Sequence, residues 1–159
     1  PALDKVMIFF TNLGEYGAVW ILTAILLLCF QKYRRYGALM LVSLLVTFLI
    51  GEIGLKNLIM RERPLVADPT VQQLIPLPSG SSFPSGHTAS SFTAAWILWK
   101  ADRKFGAAGL ALAVCIGFSR LYLFVHYPTD VLGGAVLGIA CAQGIYLLAK
   151  RYMRKKACQ

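Results

Sequence analysis

Behind Asp130 the chain runs to Ala149 without another charge, which exceeds the ~18 residues a simple membrane-spanning helix needs. Four further apolar stretches precede it, each cut short by charge or by a histidine. Residues 16–30 follow Glu15. Residues 36–60 are interrupted by Glu52 and Lys56, residues 85–99 contain His87, and residues 105–125 contain Arg120. The chain is 57% hydrophobic with a mean hydropathy of +0.62, whereas soluble domains lie near ~45–50%. The expected fold is an all-α integral membrane bundle of about five transmembrane helices. Ahead of them, residues 1–14 open on Asp4, a good N-cap, and read as a short amphipathic helix at the membrane surface. At 159 residues one domain is expected: this interfacial helix, a bundle over 15–149, and a basic tail over 150–159.

With alternating spans, every interruption falls near one membrane face, and the basic turns fall on the other. The 31–35 turn, the 100–104 turn and the tail hold eleven Lys and Arg against Asp102, net +10, and the opposite face is net −1. Cations in short loops stay cytoplasmic, so the interrupted face is expected to look outward, to the periplasm or exterior of the plasma (inner) membrane. Topology and anionic lipid then explain the +9 balance without a nucleic-acid partner.

A charge beside apolar runs needs a partner or a job. Three groups stand out on the outward face. Lys56 is separated by six residues from Arg63-Pro64. Pro84-Ser85-Gly86-His87 precedes a helix-like run. Ser119-Arg120 is followed, after five residues, by His126, with Asp130 four residues further on. Lys56, Arg63 and Arg120 suit a phosphate, because the Arg fork takes two oxygens and Lys acts as a point charge. The N–H groups of Ser85, Gly86 and His87 are expected to be unpaired first-turn donors, and Gly86 permits a close backbone approach. Two histidines can divide a substitution at phosphorus, one attacking and the other protonating the leaving oxygen. Pro128 suits a first helical position, which puts the Asp130 carboxylate within reach of the His126 ring, to set its tautomer.

These segments resemble the signature of type 2 phosphatidic acid phosphatases, which share their site with vanadium haloperoxidases. K-x6-R-P, P-S-G-H and S-R-x5-H-x3-D match at every fixed position, in order, across nearly half the chain. The resemblance implies metal-independent hydrolysis of a lipid phosphate or diphosphate, without a cofactor. His126 would form a phosphohistidine, oriented by Asp130, and His87 would protonate the leaving group. Lys56, Arg63, Arg120, the Ser85 and Gly86 N–H groups and Ser119, the last in a supporting role, would hold the phosphate. An outward site on a small chain favours undecaprenyl diphosphate as substrate, with phosphatidylglycerophosphate and phosphatidate as alternatives.

Two other readings fare worse. The haloperoxidases are, as a family, soluble and larger. A non-catalytic anion binder would not need the His126–Asp130 pairing, and no inverted repeat is evident. Glu52 is expected to serve Lys56 at i,i+4, Arg61 lies off the motif and outside the site, and Gly134-x3-Gly138 reads as packing. Cys29, Cys115 and Cys141 read as packing residues, and no metal-ligand spacing is present. For Cys158 only its place in the basic tail speaks for a lipid anchor. No cleavable leader is evident, and the true start is expected to lie upstream of Pro1. Membrane lipids are the expected surroundings, and oligomeric state is left open.

Overall fold

The computed structural model describes residues 1–157, and Cys158 and Gln159 lie outside the described residues. Among the described residues all regular structure is helical: α1 (Ala2–Leu13), α2 (Ala18–Cys29), α3 (Arg34–Phe48), α4 (Lys56–Ile59), α5 (Pro64–Ala67), α6 (Gly86–Ala101), α7 (Arg103–Tyr122) and α8 (Pro128–Ala157). By length and composition three segments can cross a membrane, Arg34–Ala67, Arg103–Tyr122 and Pro128–Lys156. A fourth is reached if α1 and α2, bent by 44°, count as one. Two of the five expected spans are therefore shorter than a simple crossing. α2 has 12 residues and α6 has 16. The protein is an integral membrane protein, and large apolar side chains such as Leu22, Leu26, Leu132 and Val136 cover its outside.

α6 sits at the centre, packed against α3, α7 and α8. Small residues make this approach possible. A Cβ on Gly134 would meet the Ser85 carbonyl at 2.6 Å, and one on Gly138 would meet the Thr93 N–H at 2.9 Å, so this glycine pair packs α8 against α6. Buried and half-buried polar groups pair across helices: Trp20 Nε1 donates to Ser91 Oγ, Thr47 and Thr93 share a hydrogen bond, and the half-buried Trp96 Nε1 donates to Gln143 Oε1, each at 2.9 Å.

Two elements differ in detail from the sequence reading. The second span is not one α-helix. Leu49–Leu55 widens to a π-helix between α3 and α4, at a stretch with Gly51 and Gly54, and Glu52 lies within it. The basic segment after Ala149 continues α8 as helix to Ala157, with no break at 150. α1 packs on the C-terminal end of α7, where Tyr122 donates to Asp4 Oδ1 at 2.7 Å. A turn with Tyr16 (φ 50°) and Gly17 (φ 67°) in the left-handed region then redirects the chain into α2.

Candidate active site

The interrupted ends of the helices converge. Lys56 opens α4, Arg63 stands just before α5 with Pro64 at its first position, and Gly86 and His87 begin α6. Arg120 lies in the last turn of α7, His126 in the turn to α8, and Asp130 in the first turn of α8. A cavity of about 770 Å³ is lined by Lys56, Arg63, Gly86, His87, Arg120 and His126. One wall of the same cavity is apolar, with Ile21 of α2 and Leu41, Leu44, Leu45 and Phe48 of α3.

His126 is 4% exposed and set between two fixed groups. Arg63 Nη1 lies 3.2 Å from its Nε2. Arginine can only donate, so Nε2 is the acceptor and Nδ1 carries the ring hydrogen. Nδ1 lies 3.5 Å from Asp130 Oδ2, short of a hydrogen bond and near enough for an ion pair once the ring is protonated. Asp130 is fully buried and well held. Its Oδ2 accepts from the Ser82 hydroxyl and from the Tyr127 N–H at 2.8 Å, and its Oδ1 accepts from Arg61 Nη1 at 2.8 Å.

The three cations differ in what they have left to give. All five N–H of Arg63 are engaged: Nε with the Gly80 carbonyl, Nη2 with those of Ser79 and Ser81, and Nη1 with that of Val125 and with His126. Arg63 thus ties the long polar loop to the His126 turn. Arg120, 2% exposed, donates from Nη1 to Thr11 Oγ1, and its buried Nε has no partner among the described residues. Lys56 Nζ pairs with Glu52 Oε2 at 2.8 Å.

At the start of α6 no side chain caps the helix, and Ala89 N–H is the first to find a helical carbonyl, that of Ser85, at 2.9 Å. The amides of Gly86, His87 and Thr88 are thereby left as anion donors. The Ser85 N–H is not among them, because it donates to the Asp130 carbonyl at 3.1 Å. This corrects the expectation that it is unpaired, and it joins the start of α6 to α8. Ser119 is also turned away from the cavity. It is fully buried and donates to the Ile116 carbonyl at 2.6 Å.

Several residues near the site lie off the motif. Arg61, left outside it by the sequence reading, binds Asp130 and Thr129 and stacks over Tyr127, 4.1 Å from its ring centroid. Its place two residues before Arg63 was the available hint. Thr11 and Glu15 reach the site from the N-terminal segment, and Ser82 from the loop. No spacing pattern links these positions to the motif.

This geometry defines a class: a membrane helix bundle with a chamber at one end in which cations and free amides face two histidines. The chain belongs to the PAP2 superfamily, which it matches over residues 32–154. It is 34% identical over 138 residues to an undecaprenyl-diphosphatase of Sulfolobus acidocaldarius, covering 86% of this chain and 66% of that protein. The crystal structure of Aquifex aeolicus LpxE superposes with a TM-score of 0.78 at 32% identity, over 92% of this chain and 86% of that one. A PAP2-type phosphatidylglycerolphosphate phosphatase from Bacillus subtilis superposes with a TM-score of 0.76 at 30% identity, over 95% and 78%. The chain spans about two thirds of the length of the curated relatives it matches.

Proposed function

We propose that this chain hydrolyses a lipid phosphate or diphosphate through a phosphohistidine on His126, with undecaprenyl diphosphate as its favoured substrate. The observation that carries the reading is one shared cavity. It joins two histidines, three cations and the free α6 amides to an apolar wall able to receive a lipid chain.

In this mechanism the phosphate sits on the Gly86 and His87 amides, Arg120 and Lys56. Arg63 Nη1 passes its hydrogen bond from Nε2 to a phosphate oxygen, which frees the Nε2 lone pair. Nε2 attacks phosphorus, and the bond to the lipid oxygen breaks as His87 gives that oxygen a proton. Asp130 stabilises the positive ring that results. Water then attacks the phosphohistidine, His87 takes the water's proton, and phosphate leaves. The fixed cations and amides offset the charge that develops at phosphorus. The outward orientation proposed from the charge balance and the name of the Sulfolobus relative both support a carrier-lipid diphosphate. The Bacillus relative keeps phosphatidylglycerophosphate as the second reading. Phosphate release from a panel of purified lipids distinguishes them, and a preference for glycerophospholipid monoesters overturns the first.

With charge compensation supplied by side chains and amides, EDTA leaves the rate nearly unchanged. Vanadate inhibits, because it adopts the trigonal-bipyramidal shape of the transition state. Activity lost in EDTA and restored by magnesium contradicts this account.

The site is proposed to face outward, with α1 lying across the outer surface of the bundle. A single Cys at Asp68 or Thr70, in a background without Cys29, Cys115, Cys141 and Cys158, then reacts with a membrane-impermeant maleimide in intact cells. A Cys at Lys104 or Lys155 reacts only after permeabilisation. The reverse pattern moves the site to the cytoplasm and removes the main reason for preferring the carrier lipid.

A further inference from the structure

The His87 ring has an electrostatic problem that the motif residues do not solve. Arg120 of α7, His126 of the turn before α8 and Lys56 of α4 line the same cavity as His87. Each sets positive charge, or a second imidazole, beside a ring that must carry a proton to act as an acid. The motif carboxylate, Asp130, is engaged on the far side of His126. Glu52, whose carboxylate lies against Gly86, is paired with Lys56. Neither carboxylate is therefore left to pair with the His87 ring.

Glu15 supplies what is missing. Its Oε2 lies 3.5 Å from His87 Nε2, a buried nitrogen with no hydrogen-bond partner among the described residues. Glu15 lines the same cavity, and its side chain is half exposed. Its position is built by the fold. It opens the tight turn between α1 and α2, where Tyr16 and Gly17 are left-handed, and Gly14 just before it packs on the His87 ring with no room for a Cβ. Glu15 also lies outside residues 32–154, the part of the chain that matches the superfamily.

We propose that Glu15 is a positioning residue that keeps His87 protonated for delivery to the leaving oxygen, and so sets how well the site cleaves poor leaving groups. The inference rests on the phosphatase reading above. In the step it governs, the His87 imidazolium, paired with the Glu15 carboxylate, gives one ring proton to the departing oxygen as the P–O bond breaks. The neutral ring then takes a proton from the attacking water, which restores the imidazolium beside the Glu15 carboxylate. A monoester expels an alkoxide and needs that proton. A diphosphate expels a lipid phosphate, which is stable without it.

The test compares wild type, Glu15→Gln, Glu15→Asp and His87→Ala on a long-chain alkyl phosphate and on the matching diphosphate. Glu15→Gln lowers kcat on the monoester about tenfold or more and changes the diphosphate by less than about threefold. Losing the negative partner lowers the pKa of the imidazolium, so the alkaline limb of kcat/KM on the monoester moves down by about one pH unit. Glu15→Asp keeps the charge one methylene further away and gives an intermediate limb, which a purely structural role for Glu15 would not produce. If His87→Ala abolishes monoester turnover while both Glu15 variants keep the wild-type limb and substrate ratio, the inference is overturned and the phosphatase reading stands. If His87→Ala leaves monoester turnover intact, the assignment of His87 as proton donor fails and the inference with it.

Discussion

Replacing His126 by alanine abolishes release of phosphate from a lipid phosphate and leaves the bundle folded. The ring is the proposed covalent acceptor, so its loss exceeds that of any single cation. It stands in a turn between α7 and α8 and lies outside the apolar core, which centres on Trp20, Met40, Ile97 and Ile116. Retention of more than about a tenth of the wild-type rate would remove the nucleophile role. Asp130→Asn acts one step back. It removes the carboxylate charge beside His126 Nδ1 and alters the anchor for Arg61, Ser82 and the Tyr127 amide. The rate falls on the order of a hundredfold or more, through the wrong tautomer and a weakened imidazolium. Radiolabel transferred from substrate to protein, trapped by acid quench, separates the two variants. Asp130→Asn still labels slowly, and His126→Ala does not label.

Arg63→Lys has the second-largest effect, although the charge is kept. Five donors in a fixed fork hold four carbonyls and the His126 ring, and an ammonium on a flexible stem cannot reproduce that pattern. Carbonyls of Ser79, Gly80, Ser81 and Val125 lose their partner, at about 1–3 kcal/mol for each that stays buried and unsatisfied. Both thermal stability in detergent and kcat/KM fall, the latter by about a hundredfold or more. A lysine variant within about threefold of wild type in kcat/KM would show that charge alone matters at this position.

Much of this molecule was open to reading before any coordinates. The apolar runs and their interruptions implied a membrane bundle with its polar groups at one end. The spacings from Lys56 to Asp130 implied phosphate chemistry. These features are local or motif-borne. Helical periodicity decides which runs bury, and first-turn positions such as Gly86 and Asp130 follow from Pro84 and Pro128 nearby.

What each polar group does once the ends converge was not open in the same way. Whether an N–H is free depends on what the fold brings within 3 Å of it, and those partners are remote in the chain. Ser85 spends its amide on the Asp130 carbonyl, and Arg63 engages its whole fork on one loop and one histidine. Ser119 turns back to its own helix, and Arg61 enters as the partner of Asp130. The N-terminal segment shows this most clearly. Thr11 meets Arg120 and Glu15 meets His87 only because α1 packs on α7 and a left-handed turn stops it beside α6. The sequence by itself determined the membrane bundle, the polar end and the residues of the motif, because hydropathy and spacing are properties of the chain. Only the tertiary structure decided which donors remain for a phosphate and which carboxylate faces which histidine. Those are distances between helices, and no local pattern encodes them.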